Sequence, residues 1–219
     1  MTVMKQQAAW DAVIFDYGGV LCYAPARQDV AQCAEWSGLD EATFYKLYLE
    51  TREYYGLAAA GYKAHWHRVA KAAGITISEE AVKQFIDRES ELWTRPNPDT
   101  LSLAREAKAD GSKIAVLSNM TTELLGILRG KFDWLDEFDV KIWSCEKGCA
   151  KPDEVIYRDC LQQLGCVPER SLFFDDRQQN VEAARRVGID AHVFESAAQA
   201  REILERGPSV PKAHLVPQK

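Results

Sequence analysis

An apolar run, Ala12-Val13-Ile14-Phe15, ends at Asp16 and is followed at once by Tyr17-Gly18-Gly19. Apolar residues in a short run before a pair of glycines are typical of a buried strand that enters a tight turn. In an open parallel sheet, ligands bind in the crevice outside the carboxyl ends of the strands. Asp16 stands at such an end and is therefore the first candidate for a functional residue.

Similar short apolar runs occur later, at residues 114–117, 172–174 and 191–194, with a less regular candidate at 138–143. Helical patterns separate them. One helical face collects Ile156, Tyr157, Cys160, Leu161 and Leu164. A second face contains Val181 and Ala184, with Gly188 at the expected end of its helix. Short strands that alternate with helices predict an α/β fold, in which a Rossmann-like parallel sheet is covered on both faces.

Residues 25–95 show no strand pattern and instead contain apolar stripes with helical spacing. The stripes are Phe44, Leu47, Tyr48 and Tyr55, then Tyr62, Trp66, Val69, Ala70 and Ala73, and finally Val82, Phe85, Ile86 and Trp93. Ser78 is a suitable N-cap ahead of Glu79 and Glu80. This segment predicts a helical bundle inserted after the first strand. Arg95-Pro96-Asn97-Pro98 marks the return to the sheet.

The composition is that of a globular protein, with 47% hydrophobic and 27% charged residues. A formal net charge of −6 and the lack of a long basic tract argue against nucleic acid and anionic membrane surfaces as partners. No apolar run approaches the roughly 20 residues needed to span a bilayer, and the N-terminus shows no signal segment. We therefore expect a cytoplasmic protein whose six cysteines are free thiols.

Polar residues also stand at the carboxyl ends of other predicted strands. Ser118-Asn119 follows the second strand, and Asp175-Asp176 follows the strand at 172–174. Lys151 precedes Pro152 at the start of the helix that leads to that strand. We expect a nucleophile, a hydroxyl group, a cation and paired acids to converge on one crevice.

The four motifs, in this order, resemble those of the haloacid dehalogenase superfamily. The resemblance rests on Val13-Ile14-Phe15-Asp16-Tyr17-Gly18-Gly19-Val20-Leu21, Val116-Leu117-Ser118-Asn119, Lys151-Pro152-Asp153 and Phe173-Phe174-Asp175-Asp176. It implies a core domain of residues 1–22 and 96–207, a helical cap of residues 23–95, and a C-terminal tail of residues 208–219. A cap of this kind opens and closes over the crevice and chooses the substrate.

The resemblance also implies the activity, that of a magnesium-dependent phosphatase for small phosphorylated metabolites such as sugar phosphates. Asp16 corresponds to the family's nucleophile, which attacks phosphorus and forms an aspartyl-phosphate that water then cleaves. Mg²⁺ prefers hard oxygen ligands. The matching ligands are the Asp16 carboxylate, the Gly18 backbone carbonyl, Asp176, and Asp175 either directly or through water.

Three further residues correspond to the family's phosphate pocket. Lys151 holds the phosphate and the nucleophile together, and Ser118 binds phosphate oxygens with the N–H groups of the following helix start. Asn119 lines the same pocket, and Asn180 lies behind the acids. The resemblance thus assigns all the polar residues at the predicted strand ends to one site.

The sequence departs from the phosphatase pattern at Gly18. Phosphatases of this superfamily usually carry an aspartate there, which protonates the leaving oxygen and later activates water. A positioned general acid is worth about 10²–10⁴-fold in rate. Three explanations stay open: slow turnover, a leaving group that needs little help, such as that of a sugar 1-phosphate or acyl phosphate, or another donor. The candidate donors are Tyr23, Arg27, Glu53, His65 and His67.

Two other functions stay open besides the phosphatase. A 2-haloacid dehalogenase also lacks the second aspartate and uses the same nucleophile on carbon, without a metal. Its first motif usually reads Asp-x-Tyr-Gly-Thr, however, and its fourth motif has serines and an asparagine instead of Asp175-Asp176. Two carboxylates beside a nucleophilic carboxylate require a cation, which favours phosphorus chemistry. The remaining alternative is a non-catalytic phosphate- or metal-binding protein. A monomer and a homodimer are both consistent with the sequence.

Overall fold

The computed structural model describes residues 9–37, 39–51 and 61–209. In this range, five helices follow the first strand in succession, and helices separate the strands from the second one onward. Their bounds are β1 (Ala12–Phe15), α1 (Arg27–Ser37), α2 (Glu41–Thr51), α3 (Gly61–Ala72), α4 (Glu79–Leu92), α5 (Pro98–Ala109), β2 (Lys113–Ser118), α6 (Thr122–Lys131), β3 (Val140–Trp143), α7 (Ser144–Lys147), α8 (Glu154–Leu164), β4 (Ser171–Asp175), α9 (Gln178–Arg186), β5 (Asp190–Val193) and α10 (Ala197–Arg206). Short 3-10 helices at Asp133–Glu137 and Pro168–Arg170 precede β3 and β4.

The strands in the described residues form one parallel sheet with the order β3-β2-β1-β4-β5. β1 lies in the centre, where Phe15 is level with Val116 of β2 on one side and with Phe174 of β4 on the other. The chain builds β2 and β3 on one side of β1 and then crosses back to build β4 and β5 on the other. The predicted α/β fold is confirmed, and the reversal of strand order beside β1 is the place where such sheets bind ligands.

Both faces of the sheet are buried under helices. Val13 and Phe15 of β1 pack in one apolar cluster with residues of α5, α6 and α10. Ala12 and Ile14 point to the opposite face and pack with residues of α8 and α9. Burial on both faces explains why the strands appear in the sequence as continuous apolar runs. The helical patterns predicted α8 and α9 but not α5 and α10.

The inserted segment is helical, as predicted, and has an apolar cluster of its own. Its members come from α1 to α4: Val30, Ala34, Phe44, Trp66, Val69, Val82 and Phe85. The Trp66 ring stacks on Phe85 (centroids 4.6 Å apart) and on Phe44 (5.8 Å). Ser78 caps α4, because its hydroxyl accepts a hydrogen bond from Ala81 N–H (3.1 Å). Tyr55 and the side chains of Tyr48 and Tyr62 lie outside the described residues.

Two chain segments connect this cap to the sheet, and they hydrogen-bond to each other. The Tyr23 N–H donates to the Arg95 carbonyl (2.9 Å), and the Asn97 N–H donates to the Leu21 carbonyl (2.8 Å). Asn97 then caps α5, which begins at Pro98. The two connecting segments lie side by side, close to the domain boundaries that the sequence predicts at residues 22–23 and 95–96. The boundaries themselves stay predictions.

The described cysteine side chains, Cys22, Cys145, Cys149, Cys160 and Cys166, are free thiols. The Cys33 side chain and residues 210–219 of the predicted tail lie outside the described residues. Within the described ranges, no helix has the length and the apolar character that crossing a membrane requires.

Candidate active site

Two predicted site residues meet at the carboxyl end of the central strands. Asp16 follows β1 directly, and Asp175 is the last residue of β4. The Asp16 N–H donates to the Phe174 carbonyl (2.9 Å), which continues the pairing of the two strands and fixes both acids at one level of the sheet. Both side chains are buried. They lie where the strand order reverses.

Lys151 lies between these two acids. Its Nζ is 2.9 Å from Asp16 Oδ1 and 2.5 Å from Asp175 Oδ2, and the lysine side chain is almost completely buried. Burial alone would lower the pKa of Lys151, but the two carboxylates raise it above its ordinary value. The ammonium group therefore stays charged, and its buried charge is paired on both sides.

The loop that carries Lys151 is held by the residue after β2. Asn119 Nδ2 donates to the Lys151 carbonyl, and Lys151 N–H donates to Asn119 Oδ1, both at 2.8 Å. Asn119 was predicted to line the phosphate pocket, which stays a prediction, and the structure shows that its amide bonds the Lys151 backbone. Ser144, which no motif indicated, also fixes the chain after β2, because its hydroxyl accepts a hydrogen bond from Met120 N–H (2.9 Å).

Ser118 is buried at the end of β2, next to β1. Because Phe15 is level with Val116, Ser118 lies one step beyond the level of Asp16, at the same edge of the sheet. Helix α6 starts soon afterwards at Thr122, and the Thr121 hydroxyl caps it by accepting a hydrogen bond from Leu124 N–H (3.3 Å). The predicted donors to a phosphate, the Ser118 hydroxyl and the first turn of a helix, thus follow β2 in succession.

Asp16, Asp175 and Asp176 form the only group of potential metal ligands found among the described residues. One carboxylate oxygen from each lies within 4.8 Å of the other two. Asp175 is fixed by hydrogen bonds from Arg177 N–H and from Asn180 Nδ2 to its Oδ1, both 2.9 Å long. Asn180 therefore lies behind the acids, as the sequence indicated. Asp176, in contrast, is exposed.

This group has an excess of negative charge, since it contains three carboxylates and the single lysine pairs with two of them. The pKa of the Asp16 carboxyl is raised to about 7, mainly by burial; Lys151 opposes this rise, and the neighbouring Asp175 and Asp176 add to it. A divalent cation among these oxygens would offset the repulsion. The donors that the structure brings together are carboxylate oxygens, and the Gly18 carbonyl stays a predicted ligand. Such hard oxygen donors fit Mg²⁺.

Gly18 is covered by a cap residue that the motifs did not indicate. A Cβ built on Gly18 would lie 2.9 Å from Cζ3 of the Trp93 ring, closer than real Cβ contacts come. Trp93 follows the last residue of α4 and is buried. In the sequence it appears only as the end of an apolar stripe, so its place over the turn came from the structure alone.

The predicted replacement proton donors lie on the surface of the molecule or outside the described residues. Tyr23 has 47% of its surface exposed. Arg27 forms an ion pair with a glutamate of the cap (3.1 Å), and His67 Nε2 lies 3.3 Å from a carboxylate oxygen of another. Glu53 and the side chain of His65 are not among the described residues. Each of the five residues stays a predicted donor.

The sequence matches the haloacid dehalogenase-like hydrolase family over residues 10–188. The chain belongs to this family of hydrolases, as its motifs and its fold indicate. A phosphorylated carbohydrates phosphatase from Thermotoga maritima is 29% identical over 218 residues, which cover 90% of this chain and 91% of the relative. Family membership supports an enzyme over a non-catalytic binding protein.

Two solved structures share the fold. A haloacid dehalogenase family enzyme from Bacteroides thetaiotaomicron, in complex with magnesium and inorganic phosphate, aligns with a TM-score of 0.61 at 18% identity over 95% of this chain and all of that chain. The L-2-haloacid dehalogenase of Xanthobacter autotrophicus aligns with a TM-score of 0.66 at 22% identity over 90% of this chain and 83% of that chain. At these identities the likeness concerns the fold, and the function has to be argued from the site.

Proposed function

We propose that this protein is a magnesium-dependent phosphomonoester hydrolase that acts on small phosphorylated metabolites through a covalent intermediate on Asp16. The observation that carries the proposal is the convergence of the Asp16, Asp175 and Asp176 carboxylates within 4.8 Å of one another. Three acids around one lysine make a site for a cation and do not suit a metal-free reaction of a lone nucleophilic carboxylate. This arrangement favours phosphorus chemistry over dehalogenation.

Each residue has a defined part in the proposed reaction. The three carboxylates and the Gly18 carbonyl would hold Mg²⁺, which would supply the positive charge that a carboxylate needs to approach a phosphate dianion. Lys151, fixed between Asp16 and Asp175, orients the nucleophile and offsets the charge of the transferred phosphoryl group. Ser118 and the N–H groups at the start of α6 bind phosphate oxygens.

The reaction has two steps. An Asp16 carboxylate oxygen attacks phosphorus, the bond from phosphorus to the leaving oxygen breaks, and the leaving group departs with the electron pair. Water then attacks the phosphorus of the aspartyl-phosphate, which releases inorganic phosphate and a proton and restores the Asp16 carboxylate. Asn119 acts indirectly, because it positions the Lys151 backbone.

We propose a sugar phosphate as the substrate class. Support comes from the Thermotoga maritima relative, which is named a phosphorylated carbohydrates phosphatase and aligns over nearly its whole length. The missing aspartate at position 18 gives a second argument, because a sugar 1-phosphate releases a better leaving group than a simple alkyl phosphate.

Phosphate release from a panel of sugar phosphates, acyl phosphates and alkyl phosphates tests the proposal. The assay is run with magnesium and with chelator, for the wild type and for Asp16→Asn. We expect release that requires magnesium and that falls at least about 10³-fold in the variant, as losses of a covalent nucleophile do. Chloride release from chloroacetate in the presence of chelator would instead support a dehalogenase. A folded protein that is silent in both assays would contradict an enzymatic function.

A further inference from the structure

Two side chains of the turn after β1, together with Gly18, are arranged around one cap residue, Trp93. The Tyr17 hydroxyl donates a hydrogen bond to the Trp93 carbonyl (2.7 Å), and the Cys22 thiol donates to the same oxygen (3.0 Å). The Trp93 ring covers Gly18, with Cζ3, Cε3 and Cη2 at 2.9–3.6 Å from the position of a Cβ. The backbone of Trp93 is thus fixed by the turn that carries the nucleophile, while its ring fills the space next to that turn.

Space, and not backbone conformation, keeps a side chain out of position 18. Gly18 is not among the glycines with a positive φ, so its backbone accepts an ordinary residue. Its neighbour Gly19 differs, because it has a φ of +79° and a Cβ there would meet Asp176. Gly18 is therefore a glycine because of the Trp93 ring, which occupies the direction in which a side chain at this position would extend.

We propose that Trp93 is a specificity-determining residue that restricts the enzyme to phosphate esters whose leaving group departs without a proton. The inference rests on the proposed phosphatase function and on the correspondence of Gly18 with the family's proton donor. The ring excludes a carboxylate from that position, so the leaving oxygen departs as an anion and takes its proton from solvent. Acyl phosphates, aryl phosphates and sugar 1-phosphates meet this requirement better than simple alkyl phosphates.

The dependence of the rate on the pKa of the leaving group tests this directly. We expect kcat/KM of the wild type to fall steeply along a series from aryl phosphates of low leaving-group pKa to alkyl phosphates. In the double variant Gly18→Asp/Trp93→Ala, a carboxylate has room to donate a proton, so the slope should flatten. Turnover of alkyl phosphates should rise by about 10²-fold, the lower end of the effect of a positioned acid.

A double-mutant cycle tests the contact without relying on activity. Gly18→Ala should lower Tm in the wild type but not in a Trp93→Ala background, because the added Cβ then meets no ring. Trp93→Leu serves as a second background in case Trp93→Ala does not fold. Phe85→Ala is the matched control, because it removes a buried aromatic ring from α4, the helix that ends just before Trp93. The Phe85 ring packs on Trp66 and not on the turn after β1. It should lower Tm and leave the leaving-group slope unchanged.

The possible outcomes separate this inference from the proposed function. A flat leaving-group dependence in an active wild-type enzyme overturns the inference alone, because it requires a proton donor elsewhere. An unchanged slope in the double variant, or additive effects of Gly18→Ala and the Trp93 substitutions on Tm, also overturns it. Absence of phosphate release from every ester overturns the phosphatase proposal, and the inference with it. The inference is supported if the wild-type rate depends steeply on the leaving-group pKa, if this slope flattens in the double variant, and if the Tm effects of Gly18→Ala and the Trp93 substitutions are not additive.

Discussion

At the scale of single residues, the turn after β1 requires glycine at position 19 because of its backbone conformation, whereas position 18 lacks space for a side chain. Gly19 has a φ of +79°, and a Cβ there would lie 2.6 Å from Asp176 Oδ2. We expect Gly19→Ala to cost about 1–3 kcal/mol in the free energy of unfolding, as strained backbone positions do. It should also displace a carboxylate of the proposed cation site. Magnesium affinity, measured from the magnesium-dependent rise in Tm, should fall about 10–100-fold.

The chain offers a matched control for this substitution. Gly126 lies within α6, is exposed, and has nothing within 4 Å of its would-be Cβ. Gly126→Ala should therefore raise stability by about 0.5–1 kcal/mol, since alanine favours a helix interior over glycine. It should leave magnesium affinity unchanged. A Gly19→Ala protein with wild-type magnesium affinity would contradict the placement of Asp176 in the cation site.

At the scale of elements, the site depends on a link between two loops. Asn119 follows β2 and makes two hydrogen bonds to the backbone of Lys151, which lies ahead of α8. Asn119→Ala removes both bonds and lets the lysine loop shift. We expect kcat/KM for the best phosphate ester to fall by about 10²-fold, the cost of a misplaced catalytic group. The magnesium-dependent rise in Tm should persist, because Asp16 also accepts a hydrogen bond from Tyr17 N–H, and Asp175 accepts others from Arg177 N–H and Asn180 Nδ2.

Thr122→Ala provides the comparison for Asn119→Ala. Thr122 is an exposed residue at the start of α6, and its hydroxyl bonds only to the neighbouring Glu123 among the contacts of the described residues. The kcat/KM of the Thr122→Ala variant should stay within about twofold of the wild-type value, because substitutions of exposed residues usually have small effects. Equal losses of activity in both variants would show that the start of α6, and not the lysine loop, is the sensitive element.

The elements also show what the sequence predicts well. The strands were found because a parallel sheet that is buried on both faces requires unbroken apolar runs. The residues at the carboxyl ends of these runs then had to lie at one edge, and Asp16, Ser118 and Asp175 do so. Lys151 was found through its motif, and the structure adds its two ion pairs.

Other features could not be read from the sequence, because they depend on contacts between distant segments. Helix α5 buries only Leu101 and Leu103 as large apolar residues, together with Thr100, Ala104 and Ala107, and its burial against the sheet is visible only in the structure. The use of Asn119 on the Lys151 backbone joins residues 32 positions apart. Trp93 reads as one more apolar residue of α4, and only the packing of the cap against the turn places its ring over Gly18.

At the scale of the whole molecule, the acids and the lysine belong to the sheet unit, while the cap has its own apolar cluster. We therefore expect damage to the cap core and damage to the sheet core to have different effects on the site. Trp66 stacks on two rings of the cap cluster, and Trp66→Ala should cost about 3–5 kcal/mol of stability, as large truncations in a core do. Discrimination between substrates should weaken, because the cap is the element expected to select them.

Binding of magnesium should nevertheless survive Trp66→Ala, since the proposed cation ligands lie at the carboxyl ends of β1 and β4. A ligand that binds only the folded protein adds about 2.7 kcal/mol to the free energy of unfolding at 100 times its Kd. The rise in Tm that magnesium causes in Trp66→Ala should therefore match the rise in the wild type. Phe173→Ala is the contrasting variant, because Phe173 is fully buried in β4 and its ring lies 5.6 Å from Lys151 Nζ. It should reduce both stability and the magnesium increment. If Trp66→Ala removes that increment as completely as Phe173→Ala does, the cap and the sheet form one cooperative unit and the cation site depends on both.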